Sequence, residues 1–306
     1  MIHITDRFAR RIREVYGVAG GAWLQRLPGL IADCERRWSL KVGAAFEPLS
    51  HNYVAPATRA DGTKTVLKIG VPTNELSAEI EALRHLAGRG SVRLLDADPD
   101  WGALLLERVV PGTPLTDLAD DDQATLDAAQ VMRQLWHPVP PGHSFASVAD
   151  WAAGLRDLRR RFGGRTGQLP DALVDQAESL FAELIASMRE PVLLHGDLHH
   201  DNILAAERQP WLAIDPKGLV GEPEYEVGAL LRNPMPGLLA MPHPERVLAR
   251  RLDILAEVLR FDRERLRAWG LAQAVLAAWW SIEDRGRSWE GWITCAALLD
   301  RLRLRA

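Results

Sequence analysis

Apolar positions recur along the chain with two spacings, one typical of helices and the other of strands. In residues 74–87, Leu76, Ile80, Leu83 and Ala87 stand three or four positions apart, which predicts an amphipathic helix with one buried face. The same spacing predicts helices at 5–16, 28–38, 123–136, 150–162, 171–189, 245–260, 263–284 and 289–304.

Short apolar runs bounded by turn residues predict strands. At 65–69 the alternation places Val66 and Lys68 on one face of a strand. Other strands are predicted at 38–46, 52–57, 92–95, 103–110, 192–194, 203–204 and 211–214. Strands with one helix dominate before Pro111 and helices dominate after it, so we expect two lobes, 1–110 and 111–306.

The segment 221–237 is rich in prolines and carboxylates. Its three prolines interrupt any helical spacing, so we expect irregular backbone there. Glu222, Glu224 and Glu226 are accordingly predicted to lie in a solvated loop.

A polar sequence, HGDLHHDN at 195–202, stands between two of the predicted strands. Asp197 and Asn202 share this short loop, so their side chains can converge on a small volume, and Asp215 ends the next strand. Polar residues on loops held by a rigid scaffold are where chemistry is usually found. Carboxylate and amide oxygens also suit Mg²⁺, which takes few protein ligands.

Phosphoryl transfer from ATP needs a defined set of groups. A carboxylate receives the acceptor's proton, two oxygen ligands hold magnesium, and a lysine fixed by a carboxylate binds the phosphates. The sequence offers these groups in chain order as Lys68, Glu79, Asp197, Asn202 and Asp215.

HGDLHHDN followed by IDPKG resembles the catalytic and metal loops of the aminoglycoside phosphotransferase superfamily. The phrases VLKIG, LLLERVVPG, WLAIDPKGLVGEPEYEVG and AAWWSIEDRG are similar to its streptomycin 6-kinase and hydroxyurea phosphotransferase branch, from about residue 35 to the C-terminus. The resemblance implies an α+β, protein-kinase-like fold with two lobes. A small antiparallel-sheet N-lobe with a helical extension would bind nucleotide, and a mostly helical C-lobe would carry the catalytic loop, metal and acceptor site.

The resemblance also implies a role for each matching residue. Asp197 matches the catalytic base, and Asn202 and Asp215 match the magnesium ligands. Lys68 matches the lysine that binds the phosphates of ATP, and Glu79 matches its partner.

Further positions match supporting parts of the family's site. His195 matches the histidine that braces the catalytic loop, and the backbone from Glu107 to Val109 matches the hinge that binds adenine. Ser50 and Asn52 fall in the turn that covers the phosphates, although this turn lacks the GxGxxG of protein kinases. Because Asp215 is followed by Pro-Lys and not Phe-Gly, we expect no kinase-style in/out switch.

The late phrase AAWWSIEDRG bears on the acceptor. Trp279 and Trp280 are expected in the core of a buried helix. Glu283 and Asp284, one turn beyond, either end that helix in solvent or face the acceptor. The resemblance implies an aminoglycoside such as streptomycin, modified at its 6-hydroxyl to give resistance, and carboxylates would suit its guanidinium groups.

Composition narrows the class of protein. The 306 residues are 47% hydrophobic and 25% charged, which suits a globular protein with a sizeable core. A net charge of -4 argues against a broad nucleic-acid face and is compatible with a cationic small molecule. Cys34 and Cys295 stand far apart, which suggests packed thiols in a reducing compartment. With no signal peptide and no apolar run near the roughly 18 residues of a membrane helix, we expect a soluble, cytoplasmic monomer.

Other functions remain open from the sequence. A kinase for hydroxyurea or a metabolite would keep every catalytic residue, and a nucleotide-binding pseudokinase would keep the fold without the reaction. His195, His199 and His200 also invite a metal-dependent hydrolase, although they lie on a loop without HExxH. His199 and His200 are expected to bond backbone or to face solvent.

Overall fold

An antiparallel sheet forms the centre of the first of two structural units, residues 1–110, in the computed structural model. The structure describes residues 4–284 and 289–303. Along this unit the elements are α1 (Asp6–Trp38), β1 (Leu40–Val42), β2 (Tyr53–Arg59), β3 (Lys64–Ile69), α2 (Asn74–Leu86), β4 (Leu94–Asp98) and β5 (Ala103–Glu107). The strand order is β1-β2-β3-β5-β4, with antiparallel neighbours throughout.

Helix α1 is longer than the sequence pattern predicts. The predicted helices 5–16 and 28–38 are joined by further helix, and the backbone departs from helical geometry at Gly17 (φ 55°, ψ -129°). This bend lets Phe8 and Trp23 pack edge to face, with ring centroids 6.1 Å apart. The prediction missed the middle segment because its paired glycines lower helix propensity, whereas burial of Trp23, Leu24 and Leu27 stabilises it.

Opposite faces of the sheet are occupied differently. Leu67 and Ile69 of β3 join the apolar cluster that contains the buried side chains of α1. Lys68, between them, therefore points to the other face. Helix α2 begins at Asn74, as predicted, and is capped by Thr73, whose hydroxyl accepts a hydrogen bond from the Leu76 amide at 3.2 Å.

The second unit, residues 111–306, is mostly helical. Its elements are β6 (Pro111–Pro114), a 3-10 turn (Leu115–Asp117), α3 (Asp121–Leu135), β7 (His137–Pro138), β8 (Ala146–Ser147), α4 (Val148–Arg161), α5 (Asp171–Ala186), β9 (Val192–Leu194), a 3-10 turn (His200–Asn202), β10 (Ile203–Ala206), β11 (Trp211–Ala213), β12 (Leu219–Gly221), α6 (Pro223–Leu231), α7 (Gly237–Ala240), α8 (Pro244–Leu259), α9 (Arg263–Glu283) and α10 (Trp289–Arg301).

Two small sheets hold the polar loop of residues 195–202 at its two ends. Strand β9, which precedes the loop, lies in the sheet β7-β9-β12-β8. Strand β10, which follows it, lies in the sheet β11-β10-β6. The loop is therefore fixed to ordered backbone on both sides.

Helix α9 is the central helix of this unit. It packs against α5, α6 and α10, and its residues from Leu266 to Trp279 are buried. Trp279 is in the core as predicted, while Trp280 is half-buried. Among the described residues, none of the helices combines the length and hydropathy that crossing a bilayer requires.

The prediction for 221–237 is wrong over most of its first half. Helix α6 occupies Pro223–Leu231, with Pro223 in its first turn, where a missing amide hydrogen costs nothing. Glu222, Glu224 and Glu226 are not solvated but buried, with exposed fractions of 0%, 3% and 1%. The polar partners of Glu222 and Glu226 come from distant parts of the chain, so the local sequence could not show them.

The two cysteines are free and buried. Cys34 lies on α1 and Cys295 on α10, each with an exposed fraction of 0%. Burial raises the pKa of each thiol to about 12. Neither thiol is therefore ionised in the folded protein at neutral pH.

Candidate active site

The loop from His195 to Asn202 is closed by its own hydrogen bonds. The Asn202 side-chain amide donates to the backbone carbonyl of Asp197 at 2.9 Å. The Asn202 carbonyl in turn accepts from the Ile214 amide at 2.9 Å. Because its side-chain nitrogen is used inside the loop, the orientation of the Asn202 side-chain amide is fixed.

Asp215 directly follows Ile214, on a backbone of unusual conformation. Its φ of 59° places it in the left-handed region, which non-glycine residues seldom adopt and which is frequent at functional sites. The amide of Lys217 donates to the His195 carbonyl at 2.7 Å. The Asp215 turn is thus hydrogen-bonded to the loop that carries Asp197 and Asn202.

His195 connects these two loops through its side chain. Its exposed fraction is 1%, and its Nδ1 accepts from the Asp197 amide at 3.2 Å. Nε2 lies 2.7 Å from the Ile214 carbonyl oxygen, which can only accept, so Nε2 carries the proton. Burial lowers the pKa of His195 to about 4. A neutral His195 therefore joins the two loops.

Glu226 is a supporting residue that the sequence analysis missed. Its carboxylate accepts from the amides of His195 at 2.7 Å and Gly196 at 2.9 Å. Burial raises the pKa of Glu226 to about 7, although these two hydrogen bonds act in the opposite direction. The available signal was a carboxylate directly before the apolar run from Val227 to Leu231.

Arg232 and His199 stand beside the Asp197 carboxylate. Arg232 Nη2 donates to Asp197 Oδ1 at 3.2 Å. His199 Nε2 lies 3.8 Å from Oδ2. The Asp197 side chain keeps an exposed fraction of 31%, so the carboxylate is both held and accessible. Arg232, like Glu226, was not identified from the sequence.

The two other loop histidines differ from each other. His199 Nδ1 accepts from the Asp201 amide at 3.3 Å, as expected of a backbone-bonded histidine. His200 is buried, contrary to the expectation, and neither ring nitrogen has a hydrogen-bond partner among the described residues. Burial lowers the pKa of His200 to about 2. His200 is therefore a neutral part of the core.

Lys68 and Glu79 form a buried ion pair in the first unit. Lys68 Nζ donates to both Glu79 carboxylate oxygens, at 2.6 and 2.8 Å. The exposed side-chain fractions are 2% and 9%. The structure thus brings together the two residues that the sequence places 11 positions apart on a strand and a helix.

The other positions predicted in the first unit lie at the ends of strands. Glu107 is the last residue of β5, and Val109 is buried just beyond it. Ser50 is exposed and Asn52 half-buried in the connection between β1 and β2. Between them, His51 Nε2 lies 3.2 Å from a guanidinium nitrogen of Arg11 on α1.

Glu283 and Asp284 are exposed at the C-terminal end of α9. Partial burial, and then the charges of Asp284 and Asp157, raise the pKa of Glu283. The end of the α9 region is thus acidic. The last two residues of the phrase AAWWSIEDRG lie outside the described residues.

The oxygen ligands that these two loops carry suit magnesium better than a transition metal. An amide oxygen from Asn202 and a carboxylate from Asp215 are hard ligands of the kind that Mg²⁺ prefers. Within residues 4–284 and 289–303, no group of three or more His, Cys, Asp or Glu is arranged to hold a metal ion.

A family model described as "Aminoglycoside/hydroxyurea antibiotic resistance kinase" matches residues 37–285. The chain belongs to this family. This membership confirms the predicted superfamily and branch, and it makes the protein a phosphotransferase that uses ATP.

Curated relatives cover nearly the whole kinase. It is 37% identical over 295 residues to a streptomycin 6-kinase of Streptomyces griseus, covering 92% of each chain. It is 38% identical over 275 residues to a hydroxyurea phosphotransferase of Kitasatospora aureofaciens, covering 88% of this chain and 77% of the relative.

Solved structures confirm the predicted protein-kinase-like fold of the kinase. A thermostable mutant of aminoglycoside phosphotransferase APH(4)-Ia, in ternary complex with ADP and hygromycin B, matches with TM-score 0.65 at 16% identity, covering 90% and 99% of the two chains. The choline kinase LicA of Streptococcus pneumoniae matches with TM-score 0.62 at 13% identity, with the same coverage.

Proposed function

We propose that this kinase transfers the γ-phosphoryl group of ATP to the 6-hydroxyl of streptomycin and thereby confers resistance. The observation that carries the proposal is the hydrogen-bonded arrangement of the loops that hold Asp197, Asn202 and Asp215. The streptomycin 6-kinases of Streptomyces griseus and Streptomyces glaucescens, 37% and 36% identical, support this acceptor.

Asp197 is the proposed base. Its carboxylate orients the acceptor hydroxyl and takes its proton as the oxygen attacks the γ-phosphorus. The bond from that phosphorus to the β,γ-bridging oxygen breaks, and its electron pair leaves with ADP. His195 accepts a hydrogen bond from the backbone amide of Asp197, and Glu226 accepts one from the backbone amide of His195, so both fix the loop that carries the base.

The remaining residues bind the nucleotide. Asn202 and Asp215 would hold magnesium, which when bound neutralises charge on the phosphates. In the first unit, Lys68, fixed by Glu79, binds the phosphates of ATP. The backbone from Glu107 to Val109 is proposed to bind adenine, and the turn with Ser50 and Asn52 to cover the phosphates.

The exposed pair Glu283 and Asp284 is proposed to bind the cationic acceptor. Carboxylates form charge-assisted hydrogen bonds with guanidinium groups, two of which streptomycin carries. A cytoplasmic monomer with no nucleic-acid partner completes the proposal, supported by the net charge of -4 and the two free cysteines.

A coupled ADP-release assay with Mg-ATP tests the function. Streptomycin should stimulate ADP release, and the phosphorus–proton coupling of the product should place the ester at position 6. Asp197→Ala should abolish transfer while ATP binding persists. Asp201→Ala is the matched control, because this carboxylate lies on the same loop but is exposed and bonded to Thr116.

Other outcomes separate the alternatives. ADP release with hydroxyurea or another hydroxylated compound, but not with streptomycin, would keep the phosphotransferase and discard this acceptor. Magnesium-dependent ATP binding without release on any acceptor would favour a pseudokinase. Full activity in Asp197→Ala would refute the proposed base.

A further inference from the structure

Arg232 places a buried cation directly beside the proposed base. It ends helix α6, and its exposed fraction is only 7%. A guanidinium is always protonated in proteins, and burying a charge is costly unless it is paired. The hydrogen-bond partners of its nitrogens therefore indicate the role of Arg232 in the site.

Only part of this guanidinium has a hydrogen-bond partner among the described residues. Nη2 donates to Asp197 Oδ1 at 3.2 Å, and the Cζ atom lies 5.9 Å from the centre of the Trp292 ring. Nη1 is buried and has no hydrogen-bond partner within the part of the chain that the structure describes. An unpaired buried donor costs about 1–3 kcal/mol, so we expect a partner for Nη1 from outside the described residues.

In two other arginines of this unit, several guanidinium nitrogens donate to acceptors of the protein. Arg251 uses Nη1 on the carbonyl oxygens of Leu230 and Asn233 at 3.0 and 2.6 Å. Arg265 contacts both carboxylate oxygens of Glu222, at 2.6 and 2.8 Å. Arg232 meets Asp197 through one nitrogen only, although a fork-to-fork contact would hold the carboxylate better.

The chemistry of Nη1 restricts its ligand. A guanidinium donates hydrogen bonds and accepts none, and it binds anionic oxygens most strongly. A cationic group of the acceptor is excluded by like charge. Because Nη1 and Nη2 belong to one rigid group, the ligand of Nη1 lies next to the carboxylate that receives the acceptor's proton. In the proposed reaction, the anionic group at that place is the phosphoryl group in transfer.

We propose that Arg232 Nη1 donates a hydrogen bond to a non-bridging oxygen of the transferred phosphoryl group while Nη2 holds Asp197. The inference rests on the proposed phosphotransferase function. As the acceptor oxygen bonds to phosphorus, the bond to the bridging oxygen of ADP breaks and the acceptor proton passes to Asp197. Arg232 keeps its protons throughout and stabilises the negative charge on the non-bridging oxygens.

Steady-state kinetics give the first test. Arg232→Gln should lower kcat by about 100- to 1000-fold, the usual cost of removing one donor to a developing charge, with the KM for ATP little changed. Arg232→Lys, which keeps the charge but lacks the planar fork that holds two donors in a fixed geometry, should lie between. Arg265→Lys, a change in a guanidinium away from Asp197, is the control. A loss of less than about threefold in Arg232→Gln would overturn the proposal.

A binding experiment separates phosphoryl contact from an effect through Asp197, and it needs no acceptor. Calorimetry measures how much aluminium fluoride, a mimic of the phosphoryl group in transfer, tightens Mg-ADP binding. Arg232→Gln should lose this enhancement while still binding Mg-ADP, and Arg265→Lys should keep it. Equal enhancement in wild type and Arg232→Gln would overturn the proposal.

The Asp197→Asn background completes a double-mutant cycle. If Nη1 contacts the phosphoryl group, Arg232→Gln should still weaken aluminium fluoride binding in that background. If the effect of Arg232→Gln disappears there, the arginine acts only by positioning Asp197, and phosphoryl contact is refuted. Failure of streptomycin as acceptor would appear in the wild-type ADP-release assay and would leave this cycle readable.

Discussion

At the scale of single residues, two buried carboxylates support the proposed site through different kinds of partner. Glu79 is paired with the ammonium group of Lys68 in the first unit. Glu226 accepts two backbone hydrogen bonds from His195 and Gly196 in the second. An ion pair and a set of amide donors respond differently to pH and to substitution, so the two arrangements lead to different predictions.

The raised pKa of Glu226 predicts a pH dependence of stability. The folded pKa of about 7 exceeds the ordinary value of 4.5. As pH rises between these values, the unfolded chain releases the proton that the folded protein keeps, so unfolding becomes more favourable. The free energy of unfolding of wild type should therefore fall, relative to that of Glu226→Gln, from about pH 4.5 to about pH 7.

Urea unfolding at a series of pH values measures this difference. Glu245→Gln, which changes an exposed carboxylate on α8, should run parallel to wild type across the same range. If Glu226→Gln and wild type showed the same slope with pH, the carboxyl of Glu226 would not be the titrating group.

The Lys68–Glu79 pair predicts a strong asymmetry between single and double substitutions. Glu79→Leu should lower the free energy of unfolding by about 3–5 kcal/mol, because it leaves a buried ammonium without its carboxylate. The double variant Lys68→Met/Glu79→Leu should recover most of that loss. Urea unfolding checks both, with Lys64→Met on the exposed end of the same strand as control. Equal losses in the single and double variants would contradict a coupled pair.

The sequence could predict which site residues lie close together when they are also close along the chain. Asp197 and Asn202 share one loop, so their proximity could be predicted from five positions of separation. Glu226 and Arg232 reach the same loop from 30 and 35 positions away along the chain. Their roles depend on how α6 packs, which no local pattern records.

At the scale of elements, helix α1 shows how close packing can depend on one glycine. A Cβ on Gly20 would lie 2.5 Å from the Ile12 backbone carbonyl oxygen, where two turns of α1 meet across the Gly17 bend. Gly21, the next residue, has open space around its missing Cβ. A side chain is therefore excluded at Gly20 but has room at Gly21, although the two glycines are adjacent in one helix.

Alanine substitution at these two glycines should have opposite effects. Gly21→Ala should raise the stability by about 0.5–1 kcal/mol, because alanine favours the helix. Gly20→Ala should lower it, because the Ile12 backbone must move. Thermal unfolding of the two variants, each the control for the other, measures both effects. Equal shifts in the two variants would contradict the packing described for α1.

The elements that sequence patterns predicted well are those with clear caps and an unbroken apolar face. Helix α2, between Thr73 and Ala87, has both. Helix α6 was missed because prolines and glutamates on a short segment are typical of solvated loops. Its proline stands in the first turn, Glu222 is paired with Arg265, and Glu226 accepts two backbone hydrogen bonds, so neither signal marks a solvated loop here.

At the scale of the whole molecule, the proposed chemistry is divided between two units. Lys68 and Glu79 belong to the first, and Asp197, Asn202 and Asp215 to the second. Each unit is compact by itself, and the family match at 37–285 leaves most of α1 outside it. The residues proposed to bind nucleotide and those proposed for transfer therefore come from two compact units of the chain.

The positions of the two cysteines allow the opening of each unit to be followed separately in one sample. Each unit holds one buried thiol, Cys34 or Cys295. An alkylating reagent can label either sulfur only when the surrounding core opens, so the rate of modification at each site measures the opening of one unit.

Mass spectrometry can follow the modification of each cysteine by iodoacetamide. Both cysteines should resist the reagent in native buffer and react in urea. Rapid native labelling of either cysteine would contradict its burial. If Mg-ADP slowed one site more than the other, its binding energy would be assigned to that half of the enzyme without any engineered probe.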